Sequence, residues 1–254
     1  MRQIKKWYRA DYEGEEVVTN MTYHNASWNV AKEWIPNSVI NNQISNQACV
    51  IGNGISRKDF NLKAVIGHFG GLLGRNKLQT YACNHFAKEA IKTGLYPDFL
   101  VVTGDKPFIQ SIVDSGYTKD HITYADLKYI SQFPGEFYKI PQEPCWNSGA
   151  MATMLAALDL HKKIFLLGFD NQDTEHFNYN MYSGELGYQH QSGEQVQASS
   201  AFFEAAMKQV FDTYSDVDFV RVMPNKYHWM PESWRGQPNL RQITFREFIL
   251  EADL

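Results

Sequence analysis

Residues 148–170, SGAMATMLAALDLHKKIFLLGFD, decide the fold class. Ala150, Met151, Met154, Leu155 and Leu158 recur at intervals of three and four on a background of strong helix formers, which predicts an α-helix opened and capped by Ser148. Lys163 to Leu167 then form an apolar run too short for a helix and with no polar alternation, the pattern of a strand covered on both faces. The run stops at Gly168-Phe169-Asp170. A helix delivered directly into a doubly buried strand is the crossover unit of a parallel sheet.

The same alternation extends in both directions. Ala48 to Ile51 reads as a buried strand closed by Gly52-Asn53-Gly54-Ile55-Ser56, and Leu78 to Cys83 as a second, ending at Asn84 before a helix through Ile91. Asp98 to Val102 is a third, ending at Thr103-Gly104-Asp105, with Pro107 placed for the first turn of a helix through Ile112. His121–Tyr124 and Phe137–Ile140 are shorter strands. A second amphipathic helix runs from Ala198 to Tyr214, a last strand from Asp218 to Val222, and a short helix from Thr244. The expectation is an α/β, Rossmann-like three-layer sandwich with a mostly parallel central sheet spanning 48–254. A long polar lid covers about 171–197. Residues 1–47, rich in Asn, Trp and Tyr without a clear period, read as an irregular N-terminal arm packed on the main domain.

With 44% hydrophobic and 20% charged residues among 254, the chain is of ordinary globular composition. A net charge of −4 without a Lys/Arg cluster argues against nucleic acid as a partner. No apolar run approaches a transmembrane segment, and Trp7-Tyr8-Arg9-Ala10-Asp11 breaks any signal core behind the basic start. Cys49, Cys83 and Cys145 are widely spaced and odd in number, so free thiols and a cytoplasmic location are expected. The aromatic arm leaves a homo-oligomer open.

Ligands of open parallel sheets bind beyond the carboxyl ends of the strands. The residues there are Gly52, Asn53, Gly54, Ser56, Asn84, Asp105, Asn147, Ser148, Gly149, Gly168, Asp170 and the pair Pro224-Asn225: mostly small, uncharged hydrogen-bonding groups. The two glycines around Asn53 could bring N–H groups close to an anion or merely make a tight turn. Arg57 stands where a dinucleotide fingerprint has its third glycine, and no Walker loop is present. No metal constellation stands out. His190, in the lid, is the natural general base near neutral pH.

Taken in order, Gly52-Asn53-Gly54-x-Ser56, Cys83-Asn84, Ser148-Gly149 before an Ala-rich helix, Leu167-Gly168-Phe169-Asp170, His190 and Pro224-Asn225 resemble the bacterial sialyltransferases of glycosyltransferase family 42. A wider group, domain of unknown function 115 with the pterin pyrophosphokinase-like domains, shares the early glycine loop and the Ser-Gly helix. The resemblance implies a CMP-activated sugar donor as co-substrate, a glycan hydroxyl as acceptor, no tightly bound cofactor and no metal. Asn53 and Ser56 would then meet the donor phosphate and ribose, and Asn84 its sugar or phosphate. Ser148 and Gly149 would hold an anionic group, Gly168 and Asp170 would line the nucleoside pocket, and His190 would deprotonate the acceptor. Three positions depart from that pattern. Gln172 stands in place of a phosphate-binding tyrosine, leaving Tyr179, Tyr182 or Tyr188 to substitute; Asn147 replaces a threonine; Asp105 replaces an asparagine. Asp105, with Asp170 and Asp173, would instead suit an ATP- and Mg²⁺-dependent diphosphotransferase. A non-catalytic nucleotide- or glycan-binding protein is the third reading.

Overall fold

Among the described residues, eight parallel strands in the order β10-β9-β8-β3-β4-β5-β6-β7 form the central sheet. The computed structural model describes residues 14–36, 45–66, 78–130, 132–141, 147–170, 180–185 and 193–254. The strands are β3 (Gln47–Ile51), β4 (Gln79–Cys83), β5 (Phe99–Val102), β6 (Thr123–Ala125), β7 (Tyr138–Lys139), β8 (Lys163–Leu167), β9 (Asp218–Met223) and β10 (Leu240–Thr244). The helices are α1 (Phe86–Thr93), α2 (Lys106–Asp114), α3 (Tyr117–Asp120), α4 (Leu127–Ile130), α5 (Ser148–Leu158), α6 (Gly193–Thr213) and α7 (Phe245–Glu251).

The apolar runs are continuous because both faces of the sheet are covered. Cys49, Ile51, Phe165, Leu167, Val220 and Val222 point to the face that packs α1, α2, α4 and α7. Their neighbours Ala48, Val50, Ile164, Leu166 and Phe219 point to the other, under α5 and α6. The chain winds outward from β3 to β7, returns through α5 to place β8 beside β3, and then winds the opposite way to β10. Strand order therefore reverses between β3 and β8. This is the α/β three-layer sandwich expected from the sequence.

Three features differ from expectation, the first being that α6 starts at Gly193, inside the stretch expected to be lid, and not at Ala198. Within the arm, β1 (Gly14–His24) and β2 (Ser27–Pro36) pair as an antiparallel hairpin rather than an irregular stretch. Its two turn residues, Asn25 (φ 51°) and Ala26 (φ 58°), are both left-handed, the backbone of a tight two-residue hairpin. The sheet also gains β10, parallel to β9, between the last expected strand and the short helix expected from Thr244. Among the described residues, no helix is long and apolar enough to cross a membrane.

Candidate functional site

At the reversal point, the segments leaving β3 and β8 are zipped together. Gly52 N donates to Leu167 O (2.8 Å) and Gly54 N to Gly168 O (2.9 Å), extending the strand pairing past both strand ends. A side chain on Gly52 would place its Cβ 2.5 Å from Gly168 O, and one on Gly54 would meet Gly168 O and the Asp170 carboxylate at 2.5–2.7 Å. Close approach of the neighbouring loop is thus what requires both glycines. Of the two uses left open for these glycines, an anion cradle or a turn, neither takes their amides, which are spent within the fold. The Ser56 amide is spent too, donating to Asp170 Oδ2 at 2.7 Å.

Arg57, at the absent third glycine, is buried and holds this junction together. Its guanidinium meets Gly52 O, Glu89 (2.9 Å) and the Tyr182 hydroxyl (3.1 Å), and lies over the Phe86 ring at 5.3 Å. Burial opposes its charge, yet Glu89 and Tyr182 outweigh that and raise its pKa. Burial likewise works to raise the Glu89 pKa, but the Arg57 hydrogen bonds and charge win and it lies below the usual carboxylate value.

The neighbouring segment 180–185 is pinned onto this edge. Asn180 bridges Gly54, and Met181 N donates to Asn53 O at 2.9 Å. The Tyr182 hydroxyl donates to Glu89 Oε2 at 2.6 Å, and its ring stacks on His85, which in turn stacks on Phe108. Tyr182 was a candidate to stabilise a departing phosphate; instead its hydroxyl serves the Arg57–Glu89 pair, and burial first, then Glu89, pushes its pKa upward.

The helix α5 brings its amino end to the same edge, packing across β3, β4 and β5. Asn147, not Ser148, caps it: Asn147 Oδ1 accepts from Ala150 N at 3.0 Å. Ser148 is the first helical residue and is buried, and its hydroxyl works to lower the pKa of the Cys83 thiol at the end of β4, which donates to Ile51 O. Burial dominates that thiol and pushes it up to about 11. The Ser148 and Gly149 amides are the first orphan donors of the helix. Gly149 sits under Phe203 and Phe169, so the start of α5 adjoins the segment that leaves β8.

Asn84, in the left-handed region (φ 47°), turns the chain out of β4, and its Oδ1 accepts from Thr103 N at 2.9 Å. Asn53, Ser56, Asn84 and Ser148 are all buried and, with Gly168 and Asp170, lie at the carboxyl edge of β3, β4 and β8. Asp105 is different. It is exposed, and its carboxylate caps α2 by accepting from Phe108 N at 3.1 Å. Asp216 and Asp218 engage Lys162 and Arg241 at the other end of the strands. His190, Tyr188, Tyr179, Gln172 and Asp173 lie outside the described residues. Among the described residues, no group of three or more His, Cys, Asp or Glu side chains is gathered for a metal ion.

One residue of this edge was not singled out from the sequence. Arg221, in β9, is fully buried. Its Nε donates to Phe169 O (3.0 Å), and its Nη1 to Trp229 O (2.7 Å) and Gln242 Oε1 (2.8 Å), under the Trp234 ring. Burial pushes its pKa down to about 10, with the Asp170 charge opposing. The available signal was a charged residue inside an apolar run, which a buried strand tolerates only with partners at hand. The chain was compared with family models, with curated proteins and with solved structures, and none of the three comparisons found a match.

Proposed function

We propose that the chain binds a nucleotide-activated sugar at the carboxyl edge between β3 and β8, and transfers the sugar from a CMP donor to a glycan hydroxyl. The observation that carries this reading is the convergence of Asn53, Ser56, Asn84, Ser148 and Asp170 where strand order reverses, beside the amino end of α5. The orphan amides of α5 suit an anionic phosphate. The rim of amides and hydroxyls suits ribose and a base edge.

In the proposed reaction the acceptor oxygen attacks the anomeric carbon, and the bond from that carbon to the phosphate oxygen breaks. CMP departs with the bonding pair, and the acceptor proton passes to His190. The role of His190 rests on the resemblance to family 42 and on its place in the chain. With the Tyr182 hydroxyl engaged, stabilisation of the departing phosphate falls to Tyr188 or Tyr179, by the resemblance to family 42, together with the Ser148 and Gly149 amides.

Calorimetry and thermal shift with CMP, CDP, UDP and MgATP test the reading. CMP is expected to bind and stabilise the protein, by about 2–3 kcal/mol at a hundredfold excess over Kd. The His190→Ala variant should keep that binding and lose release of CMP from CMP-sialic acid. Stabilisation by MgATP without any by CMP would favour the diphosphotransferase chemistry instead, and no response to any nucleotide would reject the reading.

A further inference from the structure

Three buried polar atoms at the reversal point have no hydrogen-bond partner among the described residues: Ser56 Oγ, Asp170 Oδ1 and Arg221 Nη2. Such atoms are rare in folded proteins, because an unmet buried group costs about 1–3 kcal/mol, more when charged. Here hydrogen bonds connect the segments that carry them. Asp170 Oδ2 already accepts from Ser56 N, and Arg221 Nε already donates to Phe169 O, the residue before Asp170.

The fork of the guanidinium supplies a direction. Nε–H and one Nη2–H leave the same edge of the planar group, nearly parallel. Since Nε–H engages Phe169 O at 3.0 Å, the adjacent Nη2–H is directed alongside it, toward the Phe169–Asp170 segment. Asp170 acts on Arg221 through its charge, yet among the described residues neither Asp170 Oδ1 nor Arg221 Nη2 has a hydrogen-bond partner, so the two do not meet directly. What satisfies both is a group that donates to a carboxylate and accepts from a guanidinium through the same oxygen. Among ligand groups that is a hydroxyl.

We infer that Asp170 and Arg221 form a hydroxyl-recognition subsite for the ribose of the bound nucleotide. This rests on the nucleotide reading above. The ribose is chosen because Phe169, which links the two residues, packs at Gly149 beside the orphan amides that would take the phosphate. The Arg221 hydrogen bonds to Trp229 O and Gln242 Oε1 hold its fork in place before any ligand arrives, so ordering costs at binding are small. Arg221 lies on a strand no fingerprint loop marks, and its partners come from three different segments.

The test is calorimetric titration of CMP, 2′-deoxy-CMP and 3′-deoxy-CMP into the full chain and into the Arg221→Lys, Arg221→Met and Asp170→Asn variants. Wild type should prefer CMP over one of the deoxy analogues by about 10- to 100-fold, since a site built for a hydroxyl strands its own groups when it is missing. That ratio should collapse toward one in Arg221→Met and Asp170→Asn, and be partly kept by Arg221→Lys. A merely structural Arg221 would lower stability and all affinities together and leave the ratio unchanged. Equal binding of all three nucleotides by wild type, or a crystal structure of the CMP complex with only a water between Asp170 and Arg221, overturns the subsite and leaves the nucleotide reading standing. Failure of every nucleotide to bind overturns both. Asp170→Asn changes no residue of the β9 core, so the ratio remains measurable if the Arg221→Met chain does not fold.

Discussion

Gly54 faces a carbonyl and a carboxylate at distances no methyl group can accept. Gly54→Ala must therefore push the β3 and β8 loops apart, costing about 1–3 kcal/mol as an overpacked contact does, and urea unfolding should show it. Arg57 carries the same junction through charge. In Glu89→Gln a buried guanidinium loses its anion, so stability should fall by about 2 kcal/mol or more, while Tyr182→Phe removes one hydrogen bond and costs about 1 kcal/mol. The folded pKa of Glu89 lies below its ordinary value of 4.5. Its contribution is thus complete above that pH and is lost as pH falls below it, so the melting curves of wild type and Glu89→Gln should converge in acid. At this scale the sequence was half legible. The polar rim could be read because Asn53, Ser56, Ser148 and Asp170 follow strand or loop boundaries that the apolar runs mark out. Arg57 and Arg221 could not, since their meaning lies in partners 32 and 52 positions away.

Among the elements, those buried on both faces announce themselves, and those at an edge do not. The strand β8 matches its sequence pattern residue for residue, because a run covered by helices on each side has no polar positions to blur its ends. In β10 only Ile243 is buried, and it pairs with β9 through backbone geometry that leaves little trace in composition. The hairpin β1–β2 hid for another reason. Its turn places Ala26 where glycine usually serves, so the strongest hairpin signal is missing. The edge is instead secured by α7, whose Thr244–Glu247 capping box starts the helix and whose Glu251 meets Arg241 and Lys163. Thr244→Ala should cost about 1 kcal/mol. Hydrogen bonds from Arg241, working against partial burial, hold the Glu251 carboxyl down to about 2. Because this ion pair is partly open to solvent, Glu251→Gln should cost no more than about 1 kcal/mol. That cost should shrink in molar salt and vanish as pH falls from the ordinary carboxylate range toward 2, which chemical denaturation at two ionic strengths would register.

For the molecule as a whole, the outward winding from β3 to β7 and the return through α5 to β8 reverse the strand order between β3 and β8 among the described strands. Residues scattered from 53 to 170 reach this point from three strand ends and one helix start, which only the strand order could reveal. A nucleotide held there should touch the amides of Ser148 and Gly149, the side chains of Asn53 and Asn84, and the Asp170–Arg221 pair at once. A crystal structure of the protein grown with CMP tests this most directly. The account predicts phosphate density within hydrogen-bonding distance of the Ser148 or Gly149 amide and ribose beside Asp170. CMP bound at any other part of the sheet, or at this edge with its phosphate turned away from α5, would contradict it.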